Sequence, residues 1–232
     1  MPRFAVTRSG SRAEIVFDDG GMNLLSSDAL RELQGVIRSR EDGEDSRVSL
    51  LLFRSGRPNL FAAGADMAEM RDFTPEQAAG FARLGQEVFD AIEKLPLLTV
   101  AAIDGDCFGG ALDLALAFDI RIATPRARFA HPGARLGIAT GFGGTSRWRK
   151  VLQRPAANAL FIANRVFSAE EAERIGIVSA VTTDFEEAIS RLGGADPRAV
   201  RLTKELAAHA PRLTRSQLQL LAERLGNLYF GN

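Results

Sequence analysis

The sequence has a single cysteine, Cys107, in 232 residues. That excludes an intrachain disulfide and fits a reducing compartment. It has no excess of either charge: Lys+Arg and Asp+Glu number 29 each, for a net charge of zero. This balance argues against a general binder of nucleic acid or anionic membranes, although a local basic patch stays compatible with it. It also lacks long apolar runs. The N-terminal MPRFAVTRSGS carries no signal-peptide core, and the uncharged residues 95–103 fall far short of the ~20 a membrane helix needs. The expectation is a cytoplasmic protein with no nucleic-acid or membrane partner and no metal site. What the chain does have is 46% hydrophobic residues, enough to build the core of one large domain.

The stretch LPLLTVAAIDGDCFGGALDLALAFD, residues 95–119, organises the rest. Residues 97–103 are a short apolar run between Pro96 and Gly105, which predicts a buried strand. After the turn at residues 104–106, Gly109 and Gly110 open a segment that is apolar on every face, a buried helix. The one charged residue between 107 and 118 is Asp113. Burying an unpaired carboxylate is costly, so Asp113 is paired, protonated or functional. A first-turn carboxylate that merely favours the helix dipole is the structural alternative. Cys107 has no histidine or ligand spacing beside it and reads as a buried structural residue.

In chain order, residues 13–17 and 48–53 predict strands, the second apolar enough to be covered on both faces. Ser26 or Ser27 caps a helix with Leu30, Leu33 and Ile37 on one side. Residues 41–46 form a charged loop, and residues 60–66 have no strong period. Thr74, Pro75 and Gln77 open a long helix whose core stripe is Phe81, Leu84, Val88, Ile92 and Leu95. A strand follows at 120–123 and glycine-rich loop at 129–145. Helices are expected at 146–152 and 155–163, then from the capping box at Ser168 to Gly176, before a strand at 178–181. Helices starting near Asp184, Pro197 and Thr214 close the chain, the later ones striped by Leu202 and Leu206, then Leu218, Leu221, Leu225 and Leu228. Alternating strands and helices followed by a helical tail indicate an α/β fold. Arg147, Arg149, Arg165 and Arg174 read as ordinary surface.

At LFAAGADMAEM (60–70), IDGDCFGGALDLALAFDIRIAT (103–124) and LGIATGFGGTSR (136–147) the chain resembles the crotonase superfamily, the enoyl-CoA hydratase/isomerase group. The resemblance implies a spiral of β-β-α repeats, with residues 1–183 as the core holding an acyl-CoA site. Residues 184–232 would form a helical oligomerisation region, and the assembly a homotrimer or hexamer. No cofactor is implied beyond the CoA carried by the substrate. By motif position, the backbone N–H groups of Ala65 and Gly110 would hold a thioester oxyanion, with Asp113 as the catalytic acid. Met22, Ala63, Ala65 and Met67 match positions that hold CoA; Asp66, Gly109, Gly133 and Gly141 complete the substrate-facing set. Asp66 also reads as a tie for its own loop.

The acids depart from the family pattern. Hydratases of the group use two glutamates. Here the first position is Asp113, one methylene shorter, and the second is Gly133. His131, two residues before it, is a further acid/base candidate or a neighbour-packing residue. Decarboxylation, thioester hydrolysis and non-catalytic acyl-CoA binding stay open as alternatives. A glutamate restored at position 133 is expected to raise hydration if the loop accepts it.

Overall fold

The computed structural model describes residues 2–41, 48–192, 195–209, 214–217, 219–221 and 223. The predicted loop at 41–46 and the stripe residues Leu218, Leu225 and Leu228 fall wholly or mostly outside these. The chain opens with a hairpin of β1 (Phe4–Ser9) and β2 (Arg12–Phe17), turning at Gly10 with φ +58°. β1 was not visible as a strand in the sequence, because its residues after Phe4 are mostly exposed and follow no clean apolar alternation. Next come β3 (Leu24–Leu25), α1 (Ser27–Glu41), β4 (Leu50–Ser55), β5 (Leu60–Ala62), β6 (Gly64–Ala65), α2 (Met67–Met70) and α3 (Pro75–Lys94). Then follow β7 (Leu98–Ile103), β8 (Asp106–Phe108), α4 (Gly110–Ala115), β9 (Ile120–Ala123) and β10 (Arg128–Ala130). A single 3₁₀ turn (Pro132–Leu136) leads to α5 (Gly144–Val151) and α6 (Arg154–Phe161). The chain continues through β11 (Phe167–Ser168), α7 (Ala169–Arg174), β12 (Ala180–Val181), α8 (Phe185–Leu192) and α9 (Pro197–His209).

The main sheet runs β1-β2-β4-β7-β9-β12, parallel except for the β1–β2 hairpin. A second sheet runs β11-β10-β8-β5, and β3 pairs with β6. Thus β4, β7 and β9 each lie in the first sheet, and the strand after each, β5, β8 or β10, lies in the second before the chain turns helical. This is the repeating β-β-α spiral. Residues 60–66, featureless by periodicity, owe their two short strands to these neighbours.

Alternation along the strands separates two apolar faces. Leu51, Phe53, Ala101 and Ile103 point into the large core with α1 and α3, where Phe53 meets Phe61 and Phe118 at 5.8 and 5.4 Å. Leu50, Leu52, Val100 and Ala102 point the other way and are covered by Ile189 of α8. The tail is tied back further on: Lys204 Nζ on α9 donates to Leu97 O at 3.0 Å and to Asp119 at 2.7 Å. Among the described residues, no helix is long and apolar enough to cross a membrane.

Three capping boxes form as the sequence predicts, at Thr74/Gln77, Ser168/Glu171 and Thr214/Gln217. Arg147 corrects the surface reading. Its side chain is only 2% exposed, ion-paired with Asp90 and Glu93 of α3, and its Nη1 donates to Phe142 O at 2.9 Å. Ion pairing of this kind offsets the cost of burying the guanidinium.

Candidate active site

Glycines bring the parts together. At Gly105 (φ +106°) a Cβ would lie 1.9–2.5 Å from the backbone of Asn59 and Leu60, so only glycine lets the β7–β8 turn press on β5. At Gly64 (φ +106°) a Cβ would lie 2.7 Å from Phe108 O and 3.1 Å from Gly110 N. The missing side chain therefore lets β6 lie against the mouth of α4. Gly109 donates its N–H to Ala130 O at 2.9 Å, and its carbonyl accepts from Leu112 and Asp113. Gly110 N–H, at the first helical position, has no acceptor within the helix. A Cβ on Gly110 would sit 3.4 Å from Ala65 N, so the two backbone nitrogens border the same space.

That space is a cavity of about 310 Å³. Its walls come from the 63–70 segment, from Phe81 and Ala82 of α3, from α4, and from residues 131–142. No lysine or arginine lines it among the described residues; its titratable groups are Asp113 and His131. Phe142 fills the gap between α3 and α4. A Cβ on Gly85 would strike one edge of its ring at 2.1 Å, and one on Gly110 the other edge at 2.9 Å.

Asp113 is 1% exposed. Thr140 Oγ1 donates to its Oδ2 at 2.6 Å. Oδ1 faces His131 Nε2 across 3.5 Å, and neither of these buried atoms has a hydrogen-bond partner. Gly144 clears that side, since a Cβ there would lie 1.9 Å from Oδ1. The His131 ring packs on Phe161 with centroids 4.8 Å apart. Cys107 is buried nearby; burial above all, then the charges of Asp113 and Asp106, push its thiol well above the ordinary 9.0.

Of the residues expected from the sequence, Ala63, Ala65, Met67, Gly109, Gly110, Asp113, His131, Gly133 and Gly141 all line the cavity. Met22 and Asp66 do not. Met22 is 56% exposed and its carbonyl accepts from Ala63 N at 3.0 Å, so it braces the wall from outside. The Asp66 side chain caps α2, accepting from Ala68 N and Glu69 N. Thr140 and Phe142 were missed. The signal available for Thr140 was a lone hydroxyl in an otherwise apolar and glycine stretch, whereas Phe142 looked like any core aromatic.

The sequence profile of the enoyl-CoA hydratase/isomerase family matches residues 7–221. The chain belongs to that family. It is 35% identical over 190 residues to the short-chain-enoyl-CoA hydratase of Clostridium acetobutylicum, covering 79% of this chain and 72% of the relative. To the crotonyl-CoA hydratase of Syntrophomonas wolfei it is 35% identical over 192 residues, 80% of this chain and 73% of the other. The solved structure of Pseudomonas aeruginosa DspI superposes with a TM-score of 0.91 at 28% identity, covering 100% of this chain and 97% of that one. An enoyl-CoA hydratase from Bacillus anthracis superposes with a TM-score of 0.88 at 27% identity, covering 97% and 90%. The chain is an acyl-CoA enzyme of the hydratase/isomerase type with the crotonase fold.

Within this family the structure corrects one expectation. At Gly133 a Cβ would lie 2.8 Å from Ile138 O and 3.2–3.3 Å from the His131 ring. Ile138 N donates to Gly133 O at 2.9 Å, closing the loop tightly around that point. The loop does not accept a glutamate there without rearranging.

Proposed function

We propose that this enzyme works on acyl-CoA thioesters through an enolate-like intermediate, with Ala65 N–H and Gly110 N–H holding the thioester oxygen and Asp113 moving the proton. The observation that carries the reading is a single buried carboxylate, oriented by Thr140, in an apolar cavity bordered by those two backbone nitrogens. Pre-placed donors stabilise developing negative charge without reorganising; one such donor is typically worth ~10²–10³ in kcat. Small residues at 63–65 and 109–110 let a thioester lie against the backbone. The reaction needs no cofactor other than the CoA of the substrate. The part of the chain from residue 184 onward serves assembly into a trimer or a dimer of trimers.

A non-catalytic acyl-CoA-binding role is the second reading, favoured by Gly133 in place of the second acid. Exchange of the α-protons of butyryl-CoA with deuterated water separates the two, because it requires only enolate formation by one base. Wild-type protein is expected to bind butyryl-CoA, raising its Tm by mass action, and to exchange the protons. Asp113→Asn should bind but lose exchange by about 10²–10⁴-fold. Binding without exchange in the wild type would favour the binding role, and no binding would remove both readings.

A further inference from the structure

We infer that His131 is the second proton-transfer group of this site, paired with Asp113 so that the enzyme hydrates 2-enoyl-CoA thioesters although Gly133 has no acid. The inference rests on the enolate reading above. Its ground is geometric. Asp113 and His131 both line the cavity, and their Oδ1 and Nε2 atoms lie 3.5 Å apart, are buried, and lack hydrogen-bond partners. Buried polar atoms left unsatisfied are uncommon and call for a reason. Thr140 occupies the other carboxylate oxygen, and Gly144 keeps Oδ1 clear, so the open oxygen and the open ring nitrogen face one another.

Gly133 belongs to the same arrangement. A Cβ there would come within 3.2–3.3 Å of the imidazole, tighter than ordinary packing. A side chain at 133 therefore requires the ring to shift by a few tenths of an ångström, and glycine leaves the imidazole its observed position. Phe161 of α6 backs the ring and brings no charge. Among the described residues, the titratable group facing His131 from a neighbouring element is Asp113 on α4; the Cys107 thiol on β8, which feels the charge of Asp113, is kept protonated by burial.

Two atoms 3.5 Å apart can serve the two adjacent carbons of an enoyl thioester. The step starts with the proton on Asp113 Oδ1 and with His131 Nε2 free to accept. His131 Nε2 takes a proton from water as the water oxygen bonds to the β-carbon. The π electrons move to the α-carbon and carbonyl, giving an enolate held by Ala65 and Gly110. Asp113 Oδ1–H then protonates the α-carbon, and the enolate pair becomes the new C–H bond. Passing the proton from His131 to Asp113 across the short gap restores the starting state. Water and the enoyl thioester are the only reactants.

The test is hydration of crotonyl-CoA by wild type, His131→Gln and His131→Asn. Folding is checked by Tm, binding by the Kd for butyryl-CoA, and enolate formation by α-proton exchange on the same samples. The wild type should hydrate with a bell-shaped kcat/KM profile. Both variants should lose hydration by about 10²–10⁴-fold and lose the acidic limb, while butyryl-CoA binding and Asp113-dependent exchange stay within a few-fold. A ring that serves packing alone would move Tm and Kd but leave the shape of the profile. Folded His131→Gln that hydrates at the wild-type rate would overturn the role of His131. So would a wild type that exchanges α-protons and does not hydrate. Loss of binding and exchange already in the wild type would instead strike the underlying enolate reading.

Discussion

At the scale of single residues, the site depends as much on missing side chains as on present ones. Gly133→Glu, the replacement that family comparison alone suggests, is expected to fail. Its Cβ meets the fixed carbonyl of Ile138 at 2.8 Å before the carboxylate is placed, and the His131 ring stands beside it. Forcing extra volume into a packed site costs about 1–3 kcal/mol. Crotonyl-CoA hydration should therefore fall and the Tm should drop. A variant with higher hydration and unchanged Tm would contradict this account. The sequence pointed to Asp113, because a lone charge in an apolar segment stands out in any window. It could not say that Thr140 and His131 meet that carboxylate, since contacts spanning 27 and 18 residues are set by how β10 and the following loop fold back onto α4.

At the scale of elements, the wall carrying Ala65 hangs on the turn between β2 and β3. The Asp19 carboxylate accepts from Gly21 N, Asn23 N and Leu24 N at 2.7–2.9 Å. Buried Asn23, at φ +51°, donates from Nδ2 to Phe17 O, Ser55 Oγ and Phe61 O, stitching three strand ends together. β3 then pairs with β6, which bears Ala65. Burial works to raise the Asp19 pKa, but the backbone N–H groups of Leu24, Asn23 and Gly21 together outweigh it and hold the group below its ordinary 3.8. Its stabilising contribution is thus complete above about pH 4 and is lost as the pH falls through the lowered value. Asp19→Asn should cost about 1 kcal/mol at pH 7, after allowance for partial exposure. The Tm difference from wild type should narrow as the pH is lowered from the ordinary 3.8 through the depressed value. An unchanging difference across that range would show that charge at Asp19 does not matter. Helix starts were the most legible elements, because a capping box is a four-residue signal fixed by local geometry.

At the scale of the whole molecule, Leu136, Ile162 and Val166 are 56%, 67% and 49% exposed, and Leu136 stands at the cavity itself. Covering these side chains with another chain would remove their apolar area from water. Light scattering at micromolar concentration should report a trimer or hexamer, and a monomer would refute the proposed assembly. The sequence by itself determined the α/β class, the buried strand and helix around Asp113, and the family. These rest on periodicity, caps and motifs that lie within a few dozen contiguous residues. Only the tertiary structure decided that Arg147 is interior and that β1 is a strand. It alone decided that Met22 braces the wall from outside and that a Cβ at position 133 would meet a backbone carbonyl and an imidazole. Each of these depends on which distant backbone or side chain arrives at a given point. Periodicity records which face of an element is apolar, and carries no record of what is packed against it.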